Sequence, residues 1–337
     1  MGRYNPCVDQ GTRRSLSIAS FVTAVAVALV CGLAGPAPAQ RAGRLAYVTN
    51  QGSDSLSVVD VDAMAVVGEV AIPGRPAGVA LSPDRSRVYV TAPEGKALYV
   101  VDAATRQVTR RLTLGDGPLG LAVNPRSGDV LVADWYAHKL FVIDPAAAAV
   151  KAEVAVGKSP SGIAVTPDGR TIVTTDRDDN QVSIIDATTL ERRAVVKVGE
   201  RPFGVTIDAG GERAYTANVG SDDVSIVDLA GQRLAGSFKV GRRPYAVALA
   251  DGRAFVADQY GGTVSVVDIA TGARAGLIGV GDHPEGIAIS RSGKEAYVAC
   301  WFDNTLERID VATLKVTGKV TVGDGPRAFG LFLSESE

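Results

Sequence analysis

The chain has 337 residues, with 38 Gly, 16 Pro, 21% charged residues and a formal net charge of −2. Glycine and β-branched residues disfavour long helices and coiled coils, and an apolar content of 46% is too high for a disordered chain. A charge so near zero gives no general attraction for nucleic acid or anionic lipid.

In chain order, Arg3, Arg13 and Arg14 precede an apolar run from Ile18 to Leu33, which Ala37-Pro38-Ala39 closes. This pattern predicts a secretory signal peptide over residues 1–39, cut after Ala39, and places the mature protein in the periplasm or outside the cell. The stretch Thr12-Arg13-Arg14-Ser15-Leu16 is similar to a twin-arginine export signal. A retained membrane anchor is the alternative. Cys31, preceded by Val30, fits a lipoprotein signal poorly. Cleavage removes three Arg and one Asp, taking the net charge from −2 to −4, and leaves Cys300 as the one cysteine of three. No internal disulfide is then expected, and a single domain over residues 40–337 must stand on its core. No second span follows the signal.

Beyond residue 44 one unit recurs seven times. An apolar residue followed by Asp appears at Val59-Asp60, Val101-Asp102, Ile143-Asp144, Ile185-Asp186, Val227-Asp228, Val267-Asp268 and Ile309-Asp310, spaced by 42 residues except for one interval of 40. A glycine-bearing turn ends in Pro76, Pro118, Pro160, Pro202, Pro244, Pro284 and Pro326, with the same spacings. Inside one copy lie four strand-length apolar runs separated by turn residues: Gly162–Thr166, Thr171–Thr175, Val182–Asp186 and Ala194–Val198. Four strands per period of about forty is the arithmetic of a β-propeller blade. The predicted fold is therefore all-β, a seven-bladed β-propeller with four-stranded blades. The chain begins with the second strand of a blade, Leu45–Thr49, and ends with an orphan first strand, Phe329–Leu333. Pairing the two completes the first blade and removes the open edge.

The second strand carries a resemblance. Tyr47-Val48-Thr49-Asn50 resembles the signature of the YVTN β-propeller repeat family, with equivalents such as Tyr89-Val-Thr-Ala92, Tyr215-Thr-Ala-Asn218 and Tyr297-Val-Ala-Cys300. It covers the whole mature chain and implies an exported bacterial seven-bladed propeller. Similar propellers occur as surface proteins, as periplasmic proteins that bind single-stranded DNA and, more distantly, as lactonases and quinone- or haem-dependent oxidoreductase subunits.

Propeller topology sorts the loops into two faces. The turns between first and second strands and between third and fourth strands are monotonous, and an Asp there is expected to accept N–H groups of its own turn. On the other face the copies diverge. Its loops carry Trp135, Tyr136, His138, Arg201, Arg243, Tyr245, Tyr260, His283, Trp301, Phe302 and Arg327, which include both tryptophans and both histidines. Aromatics in solvated loops expose apolar surface unless something covers them, so these residues are the candidate ligand or partner site. The competing reading packs them against neighbouring blades. Arginine on the rim favours a carboxylate, a phosphate or an acidic partner. Arg308 stands where the other third strands carry Val or Ile, and it needs a partner, Glu285 or Asp303, or an exit to solvent.

Several motifs fail on inspection. Gly115-Asp-Gly117-Pro-Leu-Gly120 fits a dinucleotide fingerprint in letters but opens a strand, and the calcium-loop start at Asp176 lacks Gly at the sixth position and an acid at the twelfth. No paired Cys or His motif supports covalent haem or structural zinc, and no metal or cofactor is assigned. Cys300 reads as a small buried residue at a strand end.

Three functions remain. The first is a non-enzymatic exported binding or scaffold protein, monomeric, whose loop-rich face takes a partner protein or a small anionic ligand. The second is a lactonase-like hydrolase or a subunit associated with a quinone-dependent dehydrogenase, with His138, His283 and Glu285 as its catalytic groups. The third, single-stranded nucleic acid stacked on the aromatics, is opposed by the acidic charge.

Overall fold

A computed structural model describes residues 43–335, and the expected signal peptide over residues 1–39 lies outside them. Among the described residues the regular elements are strands, with two single-turn 3-10 helices at Arg177–Asp179 and Gln259–Gly261. Seven sheets form a ring in which the inner strands of successive blades touch, the short Phe329–Gly330 piece making the link between the seventh and second blades. The fourth blade shows the pattern: Pro160–Val165, Thr171–Asp176, Gln181–Asp186 and Arg192–Lys197 run outward from the central channel in that order. The fold is the seven-bladed, four-stranded propeller that the repeat spacing predicts.

Burial follows the radius. Second and third strands are sandwiched between neighbouring sheets, so Leu45–Asn50 and Ser55–Asp60 are buried almost throughout, whereas the outer strand Val108–Thr113 is largely exposed. That is why the middle strands read as continuous apolar runs and the outer ones as mixed sequence. Tyr47, Tyr89 and Tyr297, the third residues of their second strands, are among the largest fully buried side chains. In every blade the third strand carries a bulge against the fourth, at Val58/Val59 in the first blade and Val100/Val101 in the second, which adds twist.

The last two letters of the repeat signature have a physical role. Thr49 Oγ1 donates to the Ala77 carbonyl (2.8 Å), Thr91 Oγ1 to the Leu119 carbonyl (2.7 Å) and Thr175 Oγ1 to the Phe203 carbonyl (2.5 Å). Each threonine thus ties its own blade to the inner strand of the next. The strand-ending polar residue holds the start of the third strand. Asn50 Nδ2 donates to Ser55 (3.0 Å) and Ser57 (2.8 Å), and Ser183 and Ser265 donate to Asp176 and Asp258 at 2.6 Å each. Hydrogen bonds of this kind contribute about 1 kcal/mol each, and more is lost when one partner is left buried alone. Inner strands approach so closely that a Cβ on Gly120 would collide with the Ser161 carbonyl.

Closure occurs at the expected place with one difference. Instead of one strand over Phe329–Leu333 there are two short pieces. Leu333–Ser334 pairs antiparallel with Leu45–Asn50 and completes the first blade, while Phe329–Gly330 lies parallel to Gly78–Leu81 of the second. Gly330 divides them, at φ 124°, a conformation that favours glycine. Arg44 then clasps the seam by bonding Asp62 of the first blade and Glu295 of the seventh. Arg308 joins the same cluster. Its partners are Glu295 (3.8 Å), the Val61 carbonyl (3.1 Å) and Thr317 (3.2 Å), rather than the Glu285 or Asp303 that the sequence suggests. Sequence distance conceals this, because Val61 is brought to the seventh blade only by ring closure.

Candidate functional site

The divergent loops rest on a repeated backbone frame. Each turn before an inner strand accepts an N–H from the loop following the second strand of its own blade: Trp135 to Gly117 (2.9 Å), Gln259 to Arg243 (3.0 Å) and Trp301 to His283 (2.9 Å). The N–H of the residue before the turn proline goes to a side chain of the preceding blade. Arg75 donates to Asp54 (2.7 Å), Arg201 to Asn180 (2.8 Å), Arg243 to Asp222 (2.7 Å) and Ser159 to His138 Nδ1 (3.1 Å). His138 therefore occupies a repeat position at which other blades carry Asp or Asn, and like Asp54, Asn180 and Asp222 it sits at a positive φ, 55°. With Nδ1 accepting, its ring proton is assigned to Nε2.

On this frame the predicted residues form two groups. The first is a stripe on the rim. The Arg243 guanidinium lies 4.7 Å from the Tyr260 ring centre, Tyr260 is 5.4 Å from His283, His283 packs 4.3 Å from Phe302, and Phe302 packs 4.6 Å from Trp301. Tyr260 is 50% and Phe302 57% exposed. His283 Nδ1 lies 2.8 Å from Asp282 Oδ1. The buried Trp301 Nε1–H has no acceptor among the described residues.

The second group closes the channel mouth. The residue after each turn proline opens the inner strand, and these seven are Ala77, Leu119, Ser161, Phe203, Tyr245, Glu285 and Arg327. Phe203 sits among Tyr245 (4.2 Å between ring centres), Phe329 (5.0 Å) and Trp135 (6.3 Å), and with Leu119 and Ala77 they make one apolar cluster. Beside them lies an ion pair, Arg327 Nε to Glu285 Oε2 at 2.8 Å, with Glu285 2% exposed. Gln259 Nε2 donates to Glu285 Oε1 (2.6 Å) and Arg327 Nη2 to the Tyr245 hydroxyl (3.3 Å). Burial disfavours the Arg327 charge, but Glu285 and Tyr245 outweigh it and hold the guanidinium above its usual range. Burial pushes the Tyr245 phenol up. A pocket of about 250 Å³ opens here, lined by Trp135, Tyr136, Leu119, Phe203, Tyr245 and Arg327 among others. On the far side of the Phe203–Phe329 plug, a cavity of about 950 Å³ follows the inner strands toward Asp208 and Asp251 in the opposite turns.

Arg201 stands apart from both clusters, held by its backbone, while Tyr136, 67% exposed, covers Gly117 at the edge of the mouth pocket. Trp135 also carries the Arg177 guanidinium 5.3 Å from its ring. Among the described residues no hydrogen bond joins any two of His138, His283 and Glu285, and no three His, Cys, Asp or Glu side chains gather closely enough to hold a metal ion. Burial pushes the Cys300 thiol up to about 12, far from the thiolate a nucleophile needs. Sequence reasoning missed Phe203, Phe329 and Gln259. The signal was present in the residue after each turn proline, which differs in every copy.

A family model described as YNCE-like β-propeller matches residues 30–127 and 165–333, and an NHL repeat model matches residues 116–143. No curated protein matches the chain in sequence. Among solved structures it is similar to Kuenenia stuttgartiensis hydrazine synthase, at 21% identity and TM-score 0.68 over 76% of this chain and 89% of that one. It is also similar to a functionally unknown protein from Desulfotomaculum acetoxidans DSM 771, at 15% identity and TM-score 0.73 over 86% and 100%. A third likeness is to dihydro-heme d1 dehydrogenase NirN in complex with DHE, at 16% and TM-score 0.63 over 84% and 74%. At these identities the likeness is one of fold.

Proposed function

The chain belongs to the YNCE-like β-propeller family, and we propose that it is an exported binding protein whose loop-rich face docks a partner protein. The reading rests on one observation: the continuous stripe from Arg243 through Tyr260, His283 and Phe302 to Trp301, with two rings half-exposed on a rigid frame. Aromatic and arginine side chains clustered on one surface are the usual anchors of protein interfaces. An anionic small ligand is less well served, because Arg327 is paired with Glu285, Arg75 with Glu94 and Arg177 with Asp178. The export-type pattern over residues 1–39 is the ground for placing the protein in the periplasm or outside the cell. Among the described residues no helix is long and apolar enough to cross a membrane.

The test is the native mass of the mature protein isolated from its own host without harsh washing. Extra mass of protein size, lost when Tyr260→Ala and Phe302→Ala are combined, supports the reading. Absence of any protein-sized addition, or a partner retained by the double variant, overturns it.

A further inference from the structure

The residue after each turn proline carries more information than any other position in the repeat. Its neighbours recur, a proline before it and glycine or alanine after it, yet it is a different amino acid in all seven copies. A position that only filled the channel could repeat, as the walls of the larger cavity do, with Ala80, Ala122 and Ala164 above Leu81, Val123 and Val165. At the mouth the ring instead has two unlike sides, aromatic at Phe203 and Tyr245, charged at Glu285 and Arg327.

The polar side has a definite surplus. Arg327 Nε lies 2.8 Å from Glu285 as an ion pair without hydrogen-bond geometry, and Nη2 donates to the Tyr245 hydroxyl and, at 3.5 Å, to Glu285 Oε1, while Nη1 has no acceptor among the described residues. The Tyr245 hydroxyl accepts from Arg327 and keeps its own proton, with no acceptor found for it. The pocket therefore presents two spare donors, and Glu285 cancels the charge that would otherwise select an anion. Its other walls, Trp135, Phe203 and Leu119, suit a flat apolar body. We propose that the channel mouth is a binding site for a small uncharged planar ring compound carrying a carbonyl-type acceptor, packed against Trp135 and Phe203 and held through that acceptor by Tyr245 and Arg327. A volume of about 250 Å³ admits a two- or three-ring compound. The site is separate from the rim stripe used for partner docking, so each reading stands or falls alone.

Coumarin is a suitable probe, with naphthalene as the same shape without an acceptor and 2-naphthoate as the charged counterpart. Binding is read by quenching of Trp135 fluorescence in a Trp301→Phe background and by saturation-transfer NMR. Coumarin is expected to bind saturably and roughly tenfold more tightly than naphthalene, the difference a hydrogen bond to a fixed donor gives. Tyr245→Phe should weaken coumarin about five- to tenfold and leave naphthalene unchanged, whereas Phe302→Ala on the rim should alter neither. If Tyr245→Phe does not fold, the coumarin–naphthalene difference in the unaltered mouth reads the same donor. Absence of saturable coumarin binding, equal affinity for coumarin and naphthalene, or tighter binding of 2-naphthoate each overturns the proposal.

Discussion

The two faces of the propeller use the same residue, aspartate at a strand end, in opposite ways. On the turn face Asp102, Asp144, Asp268 and Asp310 are solvated and accept N–H or hydroxyl groups of their own turns, at 2.7–3.2 Å. Those bonds hold each carboxyl below its usual range. On the loop face Asp176 and Asp258 also accept several hydrogen bonds, but they are fully buried, and desolvation pushes both up, Asp258 to about 6. Hydrogen bonding favours the ionised form in both places, so the solvent decides the sign. The difference teaches how a repeat protein diverges. One face repeats a solvated turn that needs only its Asp, while the other buries its polar anchors and leaves the outward side chains free to differ.

The largest expected effect comes from breaking the loop face at its centre. Phe203→Ala should cost about 3 kcal/mol and lower Tm by roughly 5–10 °C in a thermal melt, because the mouth plug loses the ring that Trp135, Tyr245 and Phe329 share. A Tm within 2 °C or so of the parent would show that the plug is not packed as described.

Asp258→Asn sharpens the comparison through pH. The folded protein holds the Asp258 proton up to about pH 6, whereas an unfolded carboxyl releases it near 3.8, so the folded state binds more protons between those values. Stability therefore falls as pH rises through that window, by on the order of 3 kcal/mol, and stays level above it. Asparagine occupies the equivalent position at Asn50 and Asn218 with its hydrogen bonds made, so the variant should be more stable than the parent at pH 7.5 and equal to it near pH 4. Urea titrations at the two pH values check this, and an unchanged difference between them counts against a buried, ionised Asp258.

The smallest effect belongs to the turn face. Asp144→Ala removes acceptors for Ala146 and Ala147 in one of seven like turns, and should lower Tm slightly without altering probe or partner binding. A loss of binding would mean that the two faces are coupled through the blade.

The spacing of Asp60 to Asp310 and of Pro76 to Pro326 determined the number of blades, the strands in each and the place of closure, because a propeller blade is a local unit whose turns are written in consecutive residues. The same logic identified the divergent face and eleven of its side chains. Which of those meet was decided by the ring. Tyr260, His283 and Phe302 come from two blades and form one stripe, and Phe203, Tyr245, Phe329 and Trp135 come from different blades and meet on the axis. His138 reads in sequence as a candidate binding or catalytic residue and is a turn acceptor for Ser159, a role visible only when the Asp and Asn of other blades are superposed on it. Arg308, for which the sequence suggests Glu285, Asp303 or solvent, instead meets Glu295 on its own blade and the Val61 carbonyl across the closed seam. Short-range hydrogen bonding and apolar periodicity act over a few residues and leave their trace in the sequence. Contacts made by closing a ring join residues up to 291 positions apart, and their trace exists only in three dimensions.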